Sequence, residues 1–546
     1  MVAIRINRFG GIAPKLNPRY LPDQRAQTAT NVDTTRSGSL LPLDGTGSNI
    51  LSLNQTIETI FRYKEDYTFT NSLWWLRSSD DLDFCRAQIT GDEEEVVYYT
   101  NSSNSNVPPR FTYNNVVGSD GNFTPYDLGV PAPTSAPTPG VVNNMTPDDL
   151  AGYSQETRVY VVTYVWVFAG REMESAPSPA SVPIDVYLVE PGDDYTINVF
   201  DTYNVKTKSG TMKKRWYRAV GGGYFFVKET DFSVVRLVDD VPPESLGEEL
   251  PSLTWSPPPT KLSGLTNMAN GIMAGFVGRD VYFCEPYIPH AWPINYAVTL
   301  ESPVVALVSL DTTLVALTRQ RPYFIQGSEP QFMTVVESDV NQGCTSKKSA
   351  VAINGEVYYV SPDGLIATGP RGTRIITEQL YSRKQWYNEF GNKEIIGATH
   401  DLKYFGFAAS GTSFIYDIPT GEFTTHSINA RATYTDYNAD RMYIVTSGGS
   451  LVVWGAGSAT NYVWRSKVFT LPSETSFSCM QVEAETYPLT AKIYADGSLL
   501  HTQNVTSRNM FRLPSILARD WEVELTGNDE VFNVVLAQSG EELASA

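Results

Sequence analysis

Residues 354–364 read NGEVYYVSPDG, 404–421 read YFGFAASGTSFIYDIPTG and 442–454 read MYIVTSGGSLVVW. In each stretch a run of β-branched and aromatic residues stops at a glycine-bearing turn, and a second run begins. The turns are Asn354-Gly355, Asp363-Gly364, Ser410-Gly411, Thr420-Gly421 and Ser447-Gly448-Gly449; the runs are 357–360, 404–408, 414–416, 442–445 and 451–454. Each run has the length of one strand in an antiparallel meander. The turns at Asp363, Ser410 and Ser447 fall at comparable points of successive units. A period of roughly 40–45 residues with several short strands per unit is that of propeller blades. Residues 51–130 have the same texture, with runs at 59–63, 72–77 and 96–100, and read as an earlier blade.

Two proline-rich segments divide the chain, 131–139 and 251–259. Proline fixes φ and removes a backbone donor, so such segments leave sheets and act as semi-rigid linkers. Between them lie runs at 159–168, 184–189, 195–200, 215–220 and 224–227, the pattern of a small antiparallel sandwich. The last stretch, with runs at 477–484, 490–494, 499–502, 510–513, 521–525 and 532–536 and a hairpin at Asp496-Gly497, is another β unit. Helix signals are sparse: Thr146-Pro147-Asp148-Asp149, which has a cap, a first-turn proline and acids, and the segment 378–390. The expected fold is all-β, a β-propeller-like hub with an inserted immunoglobulin- or fibronectin-like β-sandwich and a C-terminal β unit. Its expected divisions are an extended segment at 1–50 entering the hub, a first propeller portion at 51–140, the sandwich at 141–258, the remaining blades at 259–470 and a C-terminal unit at 471–546 closing the hub.

The 546 residues are 42% hydrophobic and 18% charged, a globular composition with ample material for a core. Lys+Arg number 41 and Asp+Glu 60, a formal charge of −19. That balance argues against gripping nucleic acid, which needs clustered cations, yet like-signed walls would let a polyanion slide past. The one dense basic run, Lys213, Lys214, Arg215 and Arg218, reads as a solvated strand end. Cys85, Cys284, Cys344 and Cys479 are too few and too scattered for a disulfide scaffold and read as buried free thiols of a chain folded in a reducing cytosol. The start, MVAIRINRFGGI, lacks the apolar region of a secretory signal, and no apolar run is long enough to span a membrane.

No motif for chemistry stands out. His290, His400, His426 and His501 fall in separate β units and no GxSxG elbow is present. Asp80-Asp81-Leu82-Asp83 lacks the spaced ligands and glycine of a calcium loop and reads as a solvated turn. Glu93-Glu94-Glu95 reads as a solvated charge run, and Gly221-Gly222-Gly223, with strands on both sides, as a hairpin turn. The expectation is a protein that is not an enzyme, without catalytic, cofactor-binding or metal sites.

The N-terminal fifty residues carry a resemblance. Phe9-Gly10-Gly11-Ile12, then Leu21-Pro22-Asp23-Gln24, Ala26, Asn31 and Gly38-Ser39-Leu40-Leu41-Pro42-Leu43 resemble the opening of the tail nozzle proteins of short-tailed bacteriophages, the tail tubular protein B family. The stretch from Gly278 through Glu285-Pro286-Tyr287 to Ala291-Trp292-Pro293 resembles a blade motif of phage hub proteins. Tyr164 through Glu174 to Ser178 resembles their immunoglobulin- or fibronectin-like insert. The resemblance implies a structural virion protein located in the phage tail and folded in the host cytoplasm. It implies a homo-hexamer forming a tube below the portal and adaptor, with tail fibres or spikes at its side. Genomic DNA would pass through the lumen without specific binding, and no membrane insertion is implied. Within that picture the polar stretches 102–109 and 201–211 are candidate gate loops. The alternative is a receptor- or carbohydrate-binding tail protein without tube function, in which exposed aromatics stack on sugars.

Overall fold

The computed structural model describes residues 3–34, 38–54, 56–63, 75–104, 106–118, 121–190, 193, 195–202 and 208–545. The chain is all-β, with a propeller-like hub, an inserted β-sandwich and a C-terminal β unit. Its hairpins close where the sequence supplies a left-handed turn. Asn354 (φ 49°) and Gly355 (φ 78°) form the whole loop between Val351–Ile353 and Glu356–Ser361. Positive φ at both central positions matches the twist of the flanking strands. Asp496 (φ 46°) and Gly497 (φ 78°) do the same between Leu489–Ala495 and Ser498–Val505. Thr146 caps Pro147–Leu150 with a reciprocal capping box to Asp149. The helical signal at 378–390 resolves into Arg383–Trp386 and a π-turn over Tyr387–Gly391, burying Trp386 and Phe390.

Seven small antiparallel sheets form the hub. Sheet I pairs Thr59–Arg62 with Trp75–Ser78; of the expected run 72–77, residues 72–74 lie outside the described residues. Sheet II spans 82–127, and sheets III to VI span 263–299, 304–337, 351–375 and 395–426. Sheet VII spans 430–453 and takes Leu51–Ser52 as its fourth strand. The first strand of each sheet lies against the first strand of the next, from II through VII, and sheet VII meets sheet I. Sheet I meets sheet II through the Thr59 Oγ1 bond to the Asp80 carbonyl (2.8 Å) and the stacked rings of Phe61 and Phe84 (5.0 Å). The C-terminal unit, expected to close the hub, does not supply the completing strand: Leu51–Ser52 does. The chain's local pattern marks strands but not their distant partners.

The sandwich sits between sheets II and III in the chain. One layer holds Thr138–Asn143, Tyr195–Phe200 and Arg236–Val238; the other holds Arg171–Glu174, Tyr160–Phe168, Thr211–Val220 and Gly223–Asp231. Its buried Tyr160, Tyr164, Trp166 and Trp216 share one core with Tyr98 and Phe111 of sheet II and Leu265 and Met273 of sheet III. The Gly221–Gly223 turn closes the Thr211–Val220 and Gly223–Asp231 hairpin, as its sequence implied.

The basic run is not a solvated strand end. It lies inside Thr211–Val220, and two-residue alternation sends Lys214, Trp216 and Arg218 to the inner face. There Lys214 Nζ meets Asp201 Oδ2 at 2.7 Å and Arg218 Nη1 meets Asp239 Oδ2 at 2.8 Å. Asp239 also accepts from Arg158 Nη1 (2.9 Å) and Tyr160 Oη (2.6 Å). Both acids flank strands of the opposite layer, so these pairs tie the layers together through the core. On the outer face Arg215 reaches Glu172, Glu174 and Glu229.

The N-terminal segment is woven into both ends of the molecule. Ile4–Ile6 pairs with Val531–Ala537. Thr28–Thr30 runs parallel to Phe423–His426 of sheet VI and antiparallel to Tyr462–Arg465 of the C-terminal unit, so one ten-stranded sheet joins the two. Between these strands Gly11 lies so close to Phe423 that a Cβ would sit 2.2 Å from its carbonyl oxygen. Ile12 N donates to that same oxygen (2.8 Å), Gly11 N donates to Glu422 Oε2 (2.5 Å), and Trp464 Nε1 donates to the Gly10 carbonyl (3.1 Å).

Two outcomes are expected. Gly11→Ala forces backbone apart and lowers stability by about 1–3 kcal/mol in denaturant unfolding, with faster proteolysis of the N-terminal segment. Asp239→Asn leaves Arg218 buried without a counter-charge, Arg158 keeping only Glu156, and costs about 3–5 kcal/mol, whereas a surface change such as Asp440→Asn stays within about 0.5 kcal/mol; equal effects of the two would refute the buried pair.

Candidate functional site

The first strands of six of the sheets, and the turn before the first strand of sheet V, surround a cavity of about 260 Å³. Its mouth is charged. Lys347 and Lys348 lie in the turn before sheet V, and their side chains reach sheets II and I. Lys347 Nζ lies 2.9 Å from Asp81 Oδ2, 2.6 Å from Asp83 Oδ1 and 2.8 Å from Ser102 Oγ. Lys348 Nζ lies 2.9 Å from Glu58 Oε2, and Arg431 Nη2 of sheet VII lies 2.8 Å from Glu58 Oε1. Three cations and three carboxylates thus pair across the axis. The Asp80–Asp83 run, expected as a solvated turn, supplies two of these carboxylates; Asp83 also accepts from Ser102 Oγ (2.8 Å) and Gly264 N (3.0 Å). Burial alone would raise the Glu58 carboxyl, but Arg431 and Lys348 outweigh it and hold it below its ordinary value. Burial pulls the Lys347 ammonium down, and Asp83 and Asp81 more than offset it.

A second cavity, about 590 Å³, lies where the sandwich meets the hub. Its walls come from the 89–94 turn of sheet II, the 169–174 hairpin of the sandwich, the proline-rich linker at Pro251 and Trp255, and the 287–290 turn of sheet III. Glu174 is buried and accepts from Thr163 Oγ1 (2.7 Å), Tyr217 Oη (2.9 Å) and Arg215 Nη1 (2.9 Å). His290 is buried beside it; its Nε2 accepts from the Glu174 N–H at 3.2 Å, and Trp255 meets its ring edge-on at 5.7 Å. Burial pushes the His290 imidazolium down to about 4. Arg171 pairs with Asp92 at 2.7 Å. The Glu93–Glu95 run is solvated only in part: Glu93 is exposed, while Glu94 and Glu95 are half-buried, and Glu93 and Glu94 line this cavity.

The remaining sequence candidates are dispersed. His426 is buried in contact with Phe407 and Trp454, His501 is half-buried, and His400 lies at a hairpin tip between Asp401 (3.7 Å) and Asp440 (3.8 Å) of the neighbouring sheet. That last trio offers one nitrogen and two carboxylate oxygens to a metal ion, a grouping the sequence hid because Asp440 comes from the next sheet. All four cysteines are free and buried, and burial pushes the Cys284 and Cys344 thiols up to about 12. Of the 102–109 stretch, Ser105 lies outside the described residues; Ser102 stands at the axial mouth. Of 201–211, residues 203–207 lie outside them; Asp201 binds Lys214, and Lys208 Nζ donates to the Asp127 (3.0 Å) and Gly129 (2.5 Å) carbonyls. Among the described residues no helix is long and apolar enough to cross a membrane.

No family model matches the chain, and no curated protein matches it. Among solved structures, BBS1N in complex with ARL6DN is similar at TM-score 0.25 and 10% identity, covering 47% of this chain and 83% of that one. BamB from Moraxella catarrhalis is similar at TM-score 0.26 and 11% identity, covering 47% and 79%. The computationally designed Ika8 protein is similar at TM-score 0.29 and 12% identity, covering 75% and 99%. Likenesses this distant carry no weight for function, and the site must be read from its own chemistry.

The axial pairs make a pH prediction. A carboxyl lowered on folding stabilises the fold fully above its unfolded pKa and loses that contribution as pH falls through its folded value. Glu58→Gln is therefore expected to lower the thermal midpoint at neutral pH, with the gap to wild type closing below about pH 4. A gap of equal size at both pH values would exclude the Glu58 charge as its source.

Proposed function

We propose that this chain is a structural protein of a bacteriophage tail, one subunit of an oligomeric nozzle below the portal and adaptor through which the genome leaves. The observation that carries the reading is the place of the residues behind the resemblance. Phe9-Gly10-Gly11-Ile12 lies where the N-terminal segment, sheet VI and the C-terminal unit meet, and Phe9 packs edge-on against Trp464 (4.9 Å). Asn31, in the left-handed region (φ 56°), bonds through its side chain to the Asn461 carbonyl (2.9 Å) and to Ser427 N (3.0 Å). A motif with so many fixed partners is the join of the architecture rather than a free tail.

In this reading the lumen is not the hub axis, because Lys347 and Lys348 span it. The passage would be bounded by several copies, six if the resemblance holds. The net charge of −19 suits walls that let DNA slide. The reading gives the chain no catalytic step. Fibres or spikes would attach at the side of the tube, and the 102–109 and 201–211 stretches both remain gate candidates.

Immunogold electron microscopy of virus particles with antibody against this chain tests the reading. Label at the distal tail stub is the expected result. Label on fibre tips would replace it with the receptor-binding alternative, and unlabelled particles would overturn it.

A further inference from the structure

The junction cavity is built in layers of different chemistry. At depth it presents donors. Because His290 Nε2 accepts the Glu174 N–H, the proton of the neutral imidazole sits on Nδ1. Among the described residues no protein group meets that Nδ1, although the side chain is buried. That N–H, on a ring that lines the cavity, is open to a ligand or water oxygen. The guanidinium groups of Arg171 and Arg215 line the same space.

The rim presents acceptors: Glu93, Glu94 and Glu172 all line it, and only Glu172 is in an ion pair, with Arg215. One wall is aromatic. Tyr287 packs one side of its ring against Gly271, where a Cβ would stand 2.4 Å from it, and is 56% exposed. Trp255, half-buried, stands against His290. The volume, about 590 Å³, falls within the range of small-molecule sites.

These layers select by charge. An anion such as a phosphate or a sialylated glycan meets unpaired carboxylates at the entrance. A cation meets, below the rim, an imidazole N–H and guanidinium groups whose carboxylate partners, Asp92 and Glu174, are already engaged by Arg171 and Arg215. A neutral polyhydroxylated molecule matches both layers, since each hydroxyl donates and accepts, and its C–H faces fit an aromatic wall. We propose that the cavity between sandwich and hub binds a neutral oligosaccharide, with the His290 Nδ1–H donating to a ring or hydroxyl oxygen, Glu93 and Glu94 accepting from hydroxyls and Tyr287 stacking on a sugar face. The inference does not rest on the nozzle reading: it concerns one cavity of one chain, and microscopy of particles leaves it untouched.

The test is calorimetric titration of the full chain with neutral di- and trisaccharides of glucose, galactose, mannose and N-acetylglucosamine, beside sialylated lactose and spermidine. The expected result is saturable binding of at least one neutral sugar, and none of the charged probes. Tyr287→Ala, at an exposed position, and Glu94→Gln, which keeps the side chain's size, are expected to weaken that binding about tenfold or more, a loss of about 1.4 kcal/mol each, with unchanged thermal midpoints. His290→Phe, which keeps the ring volume but removes the donor, is expected to weaken it as well. Three results would overturn the proposal: no neutral sugar bound at millimolar concentration, a charged probe bound in preference, or neutral-sugar binding unaffected by Tyr287→Ala and Glu94→Gln.

Discussion

The architecture depends on contacts between sheets that lie on opposite sides of an insertion. Sheets I and II precede the sandwich and sheets III to VII follow it. Two seams must therefore form between segments far apart in the chain, 374 residues for Arg62 and Asp436 and 181 for Asp83 and Gly264. At the seam of VII and I, Arg62 and Asp436 form an ion pair with side chains only 5% and 8% exposed, and Arg62 also reaches Tyr443 Oη (3.2 Å). Around it Ile60 and Trp75 pack with Tyr443, Val445 and Leu451. Removing either charge would strand the other in a dry place, so the pair is far more costly to break than to form. At the seam of II and III, Gly264 N and Leu265 N donate to Asp83 and Thr100 Oγ1. Polar groups at both seams fix which strands become neighbours, while apolar packing supplies the bulk of the attraction.

Charge is handled the same way throughout. The formal charge is strongly negative, yet cations that lie inside, such as Lys214, Arg218 and Lys347, each have a carboxylate within hydrogen-bonding distance. Lys214 is further surrounded by the rings of Tyr164, Trp216 and Phe232 at about 6 Å, which face an ammonium favourably. The sandwich layers are thereby held at both ends by ions and in the middle by tryptophan. The junction with the hub is different. There the polar groups are only partly matched to one another, and that mismatch is what sets the cavity apart from an ordinary domain contact.

What was legible in the sequence was local. The hairpins at Asn354-Gly355 and Asp496-Gly497, the runs 195–200 and 404–408 and the cap at Thr146 follow from neighbouring residues, and each is present. What was not legible depends on partners far away. Nothing near Leu51 says that it pairs with Leu451, and nothing near Thr28 says that it bridges two units. Lys213–Arg218 was misread because a cationic run on a strand splits between two faces, and the acids that neutralise its inner half come from strands elsewhere. The site followed the same rule. Glu93–Glu95 and His290 were visible as residue types, but only folding brings the 89–94 and 287–290 turns to the same cavity.

The pairing of Ile4–Ile6 with Val531–Ala537 has a consequence in time. Ile4–Ile6 finds its partner only once residues 531–537 have been made. At ~5–20 residues per second, that wait is about half a minute to two minutes. Gly10 and Gly11, Thr28–Thr30 and Leu51–Ser52 wait as well, but only until residues 423–426, 462–465 and 450–453 are made, while sheets III to VI can assemble from contiguous chain. Ile4–Ile6 is therefore placed against a hub already largely built, and a chain interrupted before residue 531 would carry the unpaired edge of Cys479–Ala484 to any neighbour translated beside it.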